Sequence, residues 1–199
     1  MRRADVRGEP IVTVIDGQPL GSASVPFIGL AEGLVLSRFR KLGVPLQRIR
    51  PAIERLKDDL GLEHVLASRA LYSDGAELLY DYAKRSGDTS EAKGARELVV
   101  VRNGQRVFNE VVEQYLRRVE FAGDGYALVV PLPGYVSAQV VADPRRGFGH
   151  PRFKRGGAKV EDVLGMFMAG ESLLDVAAEY RVPLSELEDA LRVASRHAA

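Results

Sequence analysis

Apolar positions recur at helical spacing over several stretches of the chain, separated by short β-branched runs and turn residues. Phe27, Leu30, Ala31, Leu34, Val35 and Leu42 follow a helical repeat, and Gly43 supplies a stop, which predicts an amphipathic helix from Phe27 to Leu42. Leu46, Ile49, Ile53, Leu56 and Leu60 form a second stripe that ends at Gly61. Pro51 interrupts it. A proline inside a helix removes a backbone donor and clashes with the preceding turn, so the regular helix is expected to begin near Arg50, with Pro51 in its first turn. Ahead of both helices, the β-branched run Ile11-Val12-Thr13-Val14-Ile15 stops at Asp16-Gly17 and predicts a short strand.

The middle of the chain carries two hairpin signals between residues 70 and 108. Asp74-Gly75 sits between the apolar flanks Leu71-Tyr72 and Leu78-Leu79-Tyr80, and Asn103-Gly104 sits inside Val-Val-Val-Arg-Asn-Gly-Gln-Arg-Val-Phe. Ser86 to Arg96 is small, polar and aperiodic, as in a loop. Asn109 is placed to cap a helix over 109–120, with Val111, Val112, Tyr115, Leu116 and Val119 on one face and Glu113 and Arg117 at i,i+4 on another. Tyr126 to Val130 and Tyr135 to Val141 predict strands on either side of the breaker Pro131-Leu132-Pro133-Gly134. That break divides the expectation into an N-terminal α+β domain over 1–135 and a C-terminal helical domain over 136–199.

Three compact helices are predicted from Lys159 onward. Val160, Val163, Leu164 and Phe167 line the first; Ser172 caps the second, which is expected to bury Leu174, Ala177 and Tyr180; Ser185 with Glu188 three residues later reads as a capping box for the third. Three short helices with tight turns predict a helix-turn-helix-like unit. The fold class is therefore α+β: N-terminal helices plus β-hairpins, then a small three-helix domain.

Composition narrows the chemistry. The 199 residues carry 28 Lys+Arg against 27 Asp+Glu, a formal charge of +1, so any attraction to polyanions must come from a local patch. Zero cysteines exclude a disulfide framework, a thiol nucleophile and thiolate metal sites. His64, His150 and His197 are dispersed, so neither a metal nor a cofactor is expected; His150 reads as a polar loop residue. No apolar run reaches the roughly 18 residues a membrane helix needs, and Met-Arg-Arg-Ala-Asp-Val-Arg lacks the apolar core of a signal peptide, which points to the cytoplasm. No nucleophile elbow, phosphate-binding glycine loop or metal-ligand pair stands at working spacing, so the reading is non-catalytic; scattered carboxylates converging in space would be the enzymatic alternative.

Charge is concentrated in two places. Arg38, Arg40, Lys41, Arg48, Arg50, Arg55 and Lys57 face the single acid Glu54 between residues 38 and 57. A helix, a glycine turn and a second helix so charged can set arginines against DNA phosphates or guanine edges. A solvated surface laced by the i,i+4 pairs Arg50–Glu54 and Arg55–Asp59 is the alternative. Between residues 143 and 157, Arg145, Arg146, Arg152, Lys154 and Arg155 stand against Asp143 alone, interleaved with Phe148 and Phe153. An ordinary charged turn and a single-stranded nucleic acid site built on aromatic stacking are both open. Phe148, between two glycines, is expected to turn inward as a plug over the helical unit. From Ala158 to Ala199, four basic residues meet eight acidic ones, and Glu186, Glu188 and Asp189 open the last helix, so phosphate repulsion argues against DNA reading by the C-terminal unit.

Two stretches together carry a resemblance. Asp143-Pro144, Gly147-Phe148-Gly149-His150-Pro151, Phe167-Met168-Ala169-Gly170-Glu171-Ser172 and Val176-Ala177-Ala178-Glu179-Tyr180-Arg181-Val182, running into Leu187 and Ala190-Leu191, occur in order over about 55 residues. With Phe27-Ile28-Gly29-Leu30-Ala31-Glu32 and Arg40-Lys41-Leu42-Gly43-Val44-Pro45-Leu46-Gln47-Arg48-Ile49-Arg50, the chain resembles VapB-type antitoxins, which pair a DNA-binding N-terminal region with a small C-terminal domain and are encoded beside PIN-like toxins. Such antitoxins begin with a longer winged-helix segment, so the 26 residues before Phe27 read as a truncated DNA-binding segment. The resemblance implies a non-catalytic protein that binds and blocks a PIN-like ribonuclease, autoregulates its operon, and works as a homodimer. It assigns toxin contact to Arg145, Arg146, Phe148, Arg152, Lys154 and Arg155, whose guanidinium groups match carboxylates bidentately. DNA contact falls to Arg38, Arg40, Lys41, Arg48, Arg50, Arg55 and Lys57. The alternative function is a DNA-binding regulator without a toxin.

Overall fold

The computed structural model describes residues 10–15, 25–73, 101–102, 105–106, 111 and 115–197. The chain forms two compact units, one comprising residues 1–117 and 121–127, the other residues 118–120 and 128–199. The boundary between them lies ahead of the Pro131 to Gly134 break.

In the first unit, α1 (Phe27–Lys41) and α2 (Leu46–Leu60) are joined by a turn in which Gly43 adopts a φ of 85°. Ala31, Val35 and Phe39 of α1 and Ile49, Ala52, Ile53 and Leu56 of α2 are buried, and both helices pack against the buried 3₁₀ turn Val65–Ala67. Contrary to the expectation, α2 starts at Leu46 rather than near Arg50. Pro45 flanks the helix and its carbonyl accepts the Ile49 N–H at 3.2 Å, so the first turn is complete before Pro51. Residues 11–15 are not a strand, for no neighbouring strand pairs with them among the described residues. Instead, the Thr13 N–H donates to the buried Glu32 carboxylate at 2.7 Å, and the Thr13 hydroxyl lies 3.0 Å from His64 Nδ1. Gly29 permits this approach: a Cβ there would collide with the Thr13 carbonyl oxygen.

Leu71 and Tyr72 belong to a short helix, α3 (Arg69–Ser73), not to a hairpin strand. The Ser68 hydroxyl accepts the Leu71 N–H at 3.3 Å, and this local cap starts a helix where turn chemistry predicts a strand. Asp74-Gly75, the loop from Ser86 to Arg96 and the Asn109 cap lie outside the described residues. The second hairpin is present. β1 (Val101–Arg102) and β2 (Gln105–Arg106) pair antiparallel with Arg102 opposite Gln105, the register a two-residue Asn103-Gly104 connection requires. Val111, Tyr115, Leu116 and Val119 are buried, as one apolar face predicts, but Leu116–Arg118 is a 3₁₀ turn and Glu120–Phe121 is a strand, so the helix does not run to residue 120.

The sheet has the order β3 (Glu120–Phe121), β4 (Ala127–Pro131), β5 (Val140–Ala142), β6 (Arg152–Phe153). Val130 faces Ala142, and Val140 faces Phe153, in antiparallel register. The helices α4 (Val160–Met168), α5 (Leu173–Tyr180) and α6 (Leu184–His197) follow as predicted. Ala138, Val140, Phe153, Val160, Val163, Val176, Val182, Leu187 and Ala190 form one buried cluster. Ser172 caps α5, its hydroxyl accepting the Asp175 N–H at 3.2 Å. Leu174, expected in the core, is 68% exposed, since Val176 supplies the inward position of α5. No capping box forms at Ser185, because α6 begins a residue earlier and the Pro183 carbonyl accepts the amides of Glu186 and Leu187.

Residues 135–139 do not extend β5 as predicted. Four of their amides are taken by α6: Asp189 Oδ2 accepts the N–H groups of Val136, Ser137 and Ala138 at 2.6, 2.7 and 3.0 Å, and Glu186 accepts that of Gln139 at 3.1 Å. Burial opposes the charge on Asp189, but the three amides outweigh it and hold its carboxyl below the ordinary range. Tyr135 is pushed the other way, first by burial and then by the Asp189 charge. A group whose folded pKa is depressed stabilises fully above its unfolded value and loses that contribution as pH falls through the folded one. Asp189→Asn is therefore expected to lower stability by about 2–3 kcal/mol at neutral pH. It should also flatten the decline in stability below roughly pH 4, where the unfolded aspartate titrates. Chemical denaturation at pH 7 and at pH 3 checks both.

Candidate functional site

Two basic surfaces are built by different means. In the first unit, the basic residues lie on α1 and α2, which both pack against the 3₁₀ turn Val65–Ala67. Arg38 lies over the Tyr115 ring with its guanidinium carbon 5.3 Å from the centroid. Arg40 donates to the Val44 carbonyl at 3.4 Å across the turn. Both predicted i,i+4 pairs form: Arg55 Nε donates to Asp59 at 2.9 Å, and Arg50 lies 3.9 Å from Glu54. Lys41 is exposed and Lys57 half-buried, and neither makes an ion pair among the described residues. The side chain of Arg48 lies outside the described residues. The predicted residues thus share one helix pair, with four of them already engaged.

No sequence signal marks the polar group behind this surface. His64 Nδ1 lies 3.2 Å from Glu32 Oε1, and the imidazole meets the Tyr126 ring edge-on at 5.9 Å. Positions 13, 32, 64 and 126 are too far apart in the chain for spacing to connect them. They tie the N-terminal segment to α1 and to the turn before α3. Among the described residues, no cluster of His, Asp and Glu is arranged to hold a metal ion, and no helix is long and apolar enough to cross a membrane.

The second surface is the loop after β5. Asp143 is 5% exposed, and its carboxylate holds the turn: Oδ1 accepts the Arg145 amide and Nε at 3.0 Å each, and Oδ2 accepts Nη2 at 3.0 Å. The Arg145 hydrogen bonds keep Asp143 well below the usual carboxylate range, against the effect of burial, and Asp143 in turn raises the Arg145 pKa. Arg152 reaches back to the Gly157 carbonyl through Nε at 2.7 Å and through Nη2. Lys154 pairs with Glu120 at 3.1 Å, and Arg155 lies 3.9 Å from the buried Glu186. Arg145, Arg146, Arg152 and Lys154 line one depression of about 200 Å³ with Glu120 and Asp143; Arg155 and Phe148 are not part of it.

The two phenylalanines of this loop exchange their expected roles. Phe153 is the buried one, 1% exposed in the core, so it is not a stacking platform. Phe148 is 98% exposed and is not a plug. It sits in the 3₁₀ turn Gly147–Gly149 at φ 55° and ψ 31°, between glycines at φ 57° and 80°. Three consecutive left-handed residues turn the side chain outward. A bulky residue in that region costs on the order of 1–2 kcal/mol.

The acidic opening of α6 also differs from its expected character. Glu186 and Asp189 point inward, onto residues 136–139, leaving Glu188 as the exposed acid of the three. Phosphate repulsion by that helix face is accordingly weaker than the composition implies. A groove of about 360 Å³ beside α6 is lined by apolar residues including Tyr135, Val160, Leu164 and Val193, together with His150, Lys159 and Glu161.

Comparison with known proteins matches two separate stretches of the chain. A family described as "Putative DNA-binding HTH domain" matches residues 1–53, and one described as "Protein of unknown function (DUF433)" matches residues 140–194. The chain superposes on the X-ray crystal structure of Rv2018 from Mycobacterium tuberculosis with a TM-score of 0.79 and 47% identity, covering 92% of this chain and 85% of that one. It is 48% identical over 188 residues, 94% of its length and 78% of the relative's, to the Mycobacterium tuberculosis H37Rv protein named "Putative antitoxin VapB45". At that identity and coverage, and with both of its ends matched in the order the motifs predict, the chain belongs to the VapB antitoxin family.

Proposed function

We propose that this protein is the antitoxin of a type II toxin–antitoxin pair. It is a non-catalytic, cytoplasmic homodimer that binds and neutralises a PIN-like ribonuclease through the 143–157 loop and represses its own operon through α1 and α2. The observation that carries the reading is the 48% identity, across 94% of the chain, to a protein named as an antitoxin. The geometry supports it: the loop combines a cationic depression with an outward aromatic, residue types enriched at protein interfaces. Two copies related by a dyad would present two α1–α2 pairs to a symmetric operator.

Co-expression with a PIN-like nuclease as the proposed partner tests the reading. The pair is expected to co-purify, and RNA cleavage by the nuclease should fall at least about tenfold at equimolar antitoxin. Undiminished cleavage would remove the antitoxin function.

A regulator acting on DNA alone is the second reading, favoured by the helix-turn-helix match over residues 1–53. Lys41 and Lys57, which make no ion pair among the described residues, are the cations best placed to meet phosphate. The double variant Lys41→Glu/Lys57→Glu is expected to weaken operator binding and to make the dependence of log affinity on log salt shallower by about 0.9 for each phosphate no longer neutralised. Gel-shift titrations across salt concentrations measure it; an unchanged slope would exclude both lysines from the interface.

A further inference from the structure

We propose that Phe148 is the anchor of the partner interface, with Arg146 as its accompanying charge, and that the surface they fit is an apolar pocket of the nuclease edged by a carboxylate. This rests on the antitoxin reading above.

The other cations of the loop are already committed. Arg145 is locked bidentately on Asp143, Arg152 on the Gly157 carbonyl, and Lys154 on Glu120, while Arg155 faces Glu186. Arg146 is exposed and makes no side-chain hydrogen bond among the described residues, although its charge is felt by Asp143. Two residues on, Phe148 offers nearly its whole side chain to solvent.

That presentation is built rather than accidental. The Arg146 amide donates to the Asp143 carbonyl at 3.0 Å, and the His150 amide to the Gly147 carbonyl at 3.0 Å, which fixes the backbone on both sides of Phe148. Arg152 underlies the turn: a Cβ on Gly147 would stand 2.8 Å from its Nη1. The left-handed φ at Phe148 would suit glycine or asparagine, yet a phenylalanine with no burial of its own occupies it. Its side chain adds nothing to the core of this chain, so the use for it lies outside. A rigid aromatic beside an arginine is the composition of an interface hot spot. Phe153 is buried, so the loop lacks the second exposed ring that stacking on successive bases uses.

The test exploits the strained backbone. Phe148→Asn and Phe148→Gly remove the ring while relieving the left-handed φ, so the thermal midpoint of the full-length protein should stay unchanged or rise. Affinity for the purified PIN-like nuclease that the antitoxin reading proposes, measured by titration calorimetry, should fall at least about tenfold. Arg146→Glu should weaken binding comparably, and Lys154→Ala by less than about threefold. Wild-type binding with unchanged affinity in the Phe148 variants would overturn this proposal and leave the antitoxin reading intact. No binding by the wild type would overturn both. Tight binding of wild type to a single-stranded oligonucleotide, abolished by Phe148→Asn, would make the ring a nucleic-acid contact and equally overturn the proposal.

Discussion

One buried carboxylate organises the second unit. Asp189, 1% exposed on α6, accepts three consecutive amides from residues 136–138, some 50 positions earlier in the chain. A buried carboxylate without partners would be strongly destabilising, and three amides without acceptors would be costly as well. Each side therefore needs the other. Glu186 adds a fourth bond at Gln139, one turn away on the same helix. Together they fix where β5 begins, and hence where Asp143 and the basic loop leave the sheet.

The loop repeats that logic on a smaller scale. Asp143 collects the amide and the guanidinium of Arg145, Arg152 spans the turn to Gly157, and glycines stand where a Cβ would collide or where φ is positive. Gly156 shows the tightness: a Cβ there would collide with the Tyr180 carbonyl oxygen at the end of α5. The loop is thus held from the sheet below and from the helices beside it. A rigid loop loses little entropy on binding, so interactions made at its tip convert more fully into affinity.

Much of this architecture is legible in the sequence, because most of it is local. The stripes of α1 and α2, the three C-terminal helices, the Ser172 cap, the register of β1 with β2 and both i,i+4 ion pairs follow from spacing and turn chemistry. What spacing does not reveal is long-range. Residues 135–139 have strand-like character, but their donors are claimed by α6. Glu186 and Asp189 have the pattern of an acidic helix face, yet Val136 to Gln139 cover them. Ile11 to Ile15 has no strand partner among the described residues and is tied instead to Glu32 and His64. Phe148 and Phe153 are equivalent in composition and opposite in burial; only the left-handed turn separates them. The basic positions themselves are visible in the sequence. Which of them are already satisfied is not, because that depends on Gly157, Glu120 and Glu186.

Hydrogen–deuterium exchange on the protein, alone and with a PIN-like nuclease as its proposed partner, tests the central claim most directly. The account predicts slowed amide exchange at residues 145–150 on adding the nuclease, with α1 and α2 unchanged until operator DNA is added. Protection confined to other segments, with the loop exchanging as in the free protein, would contradict it.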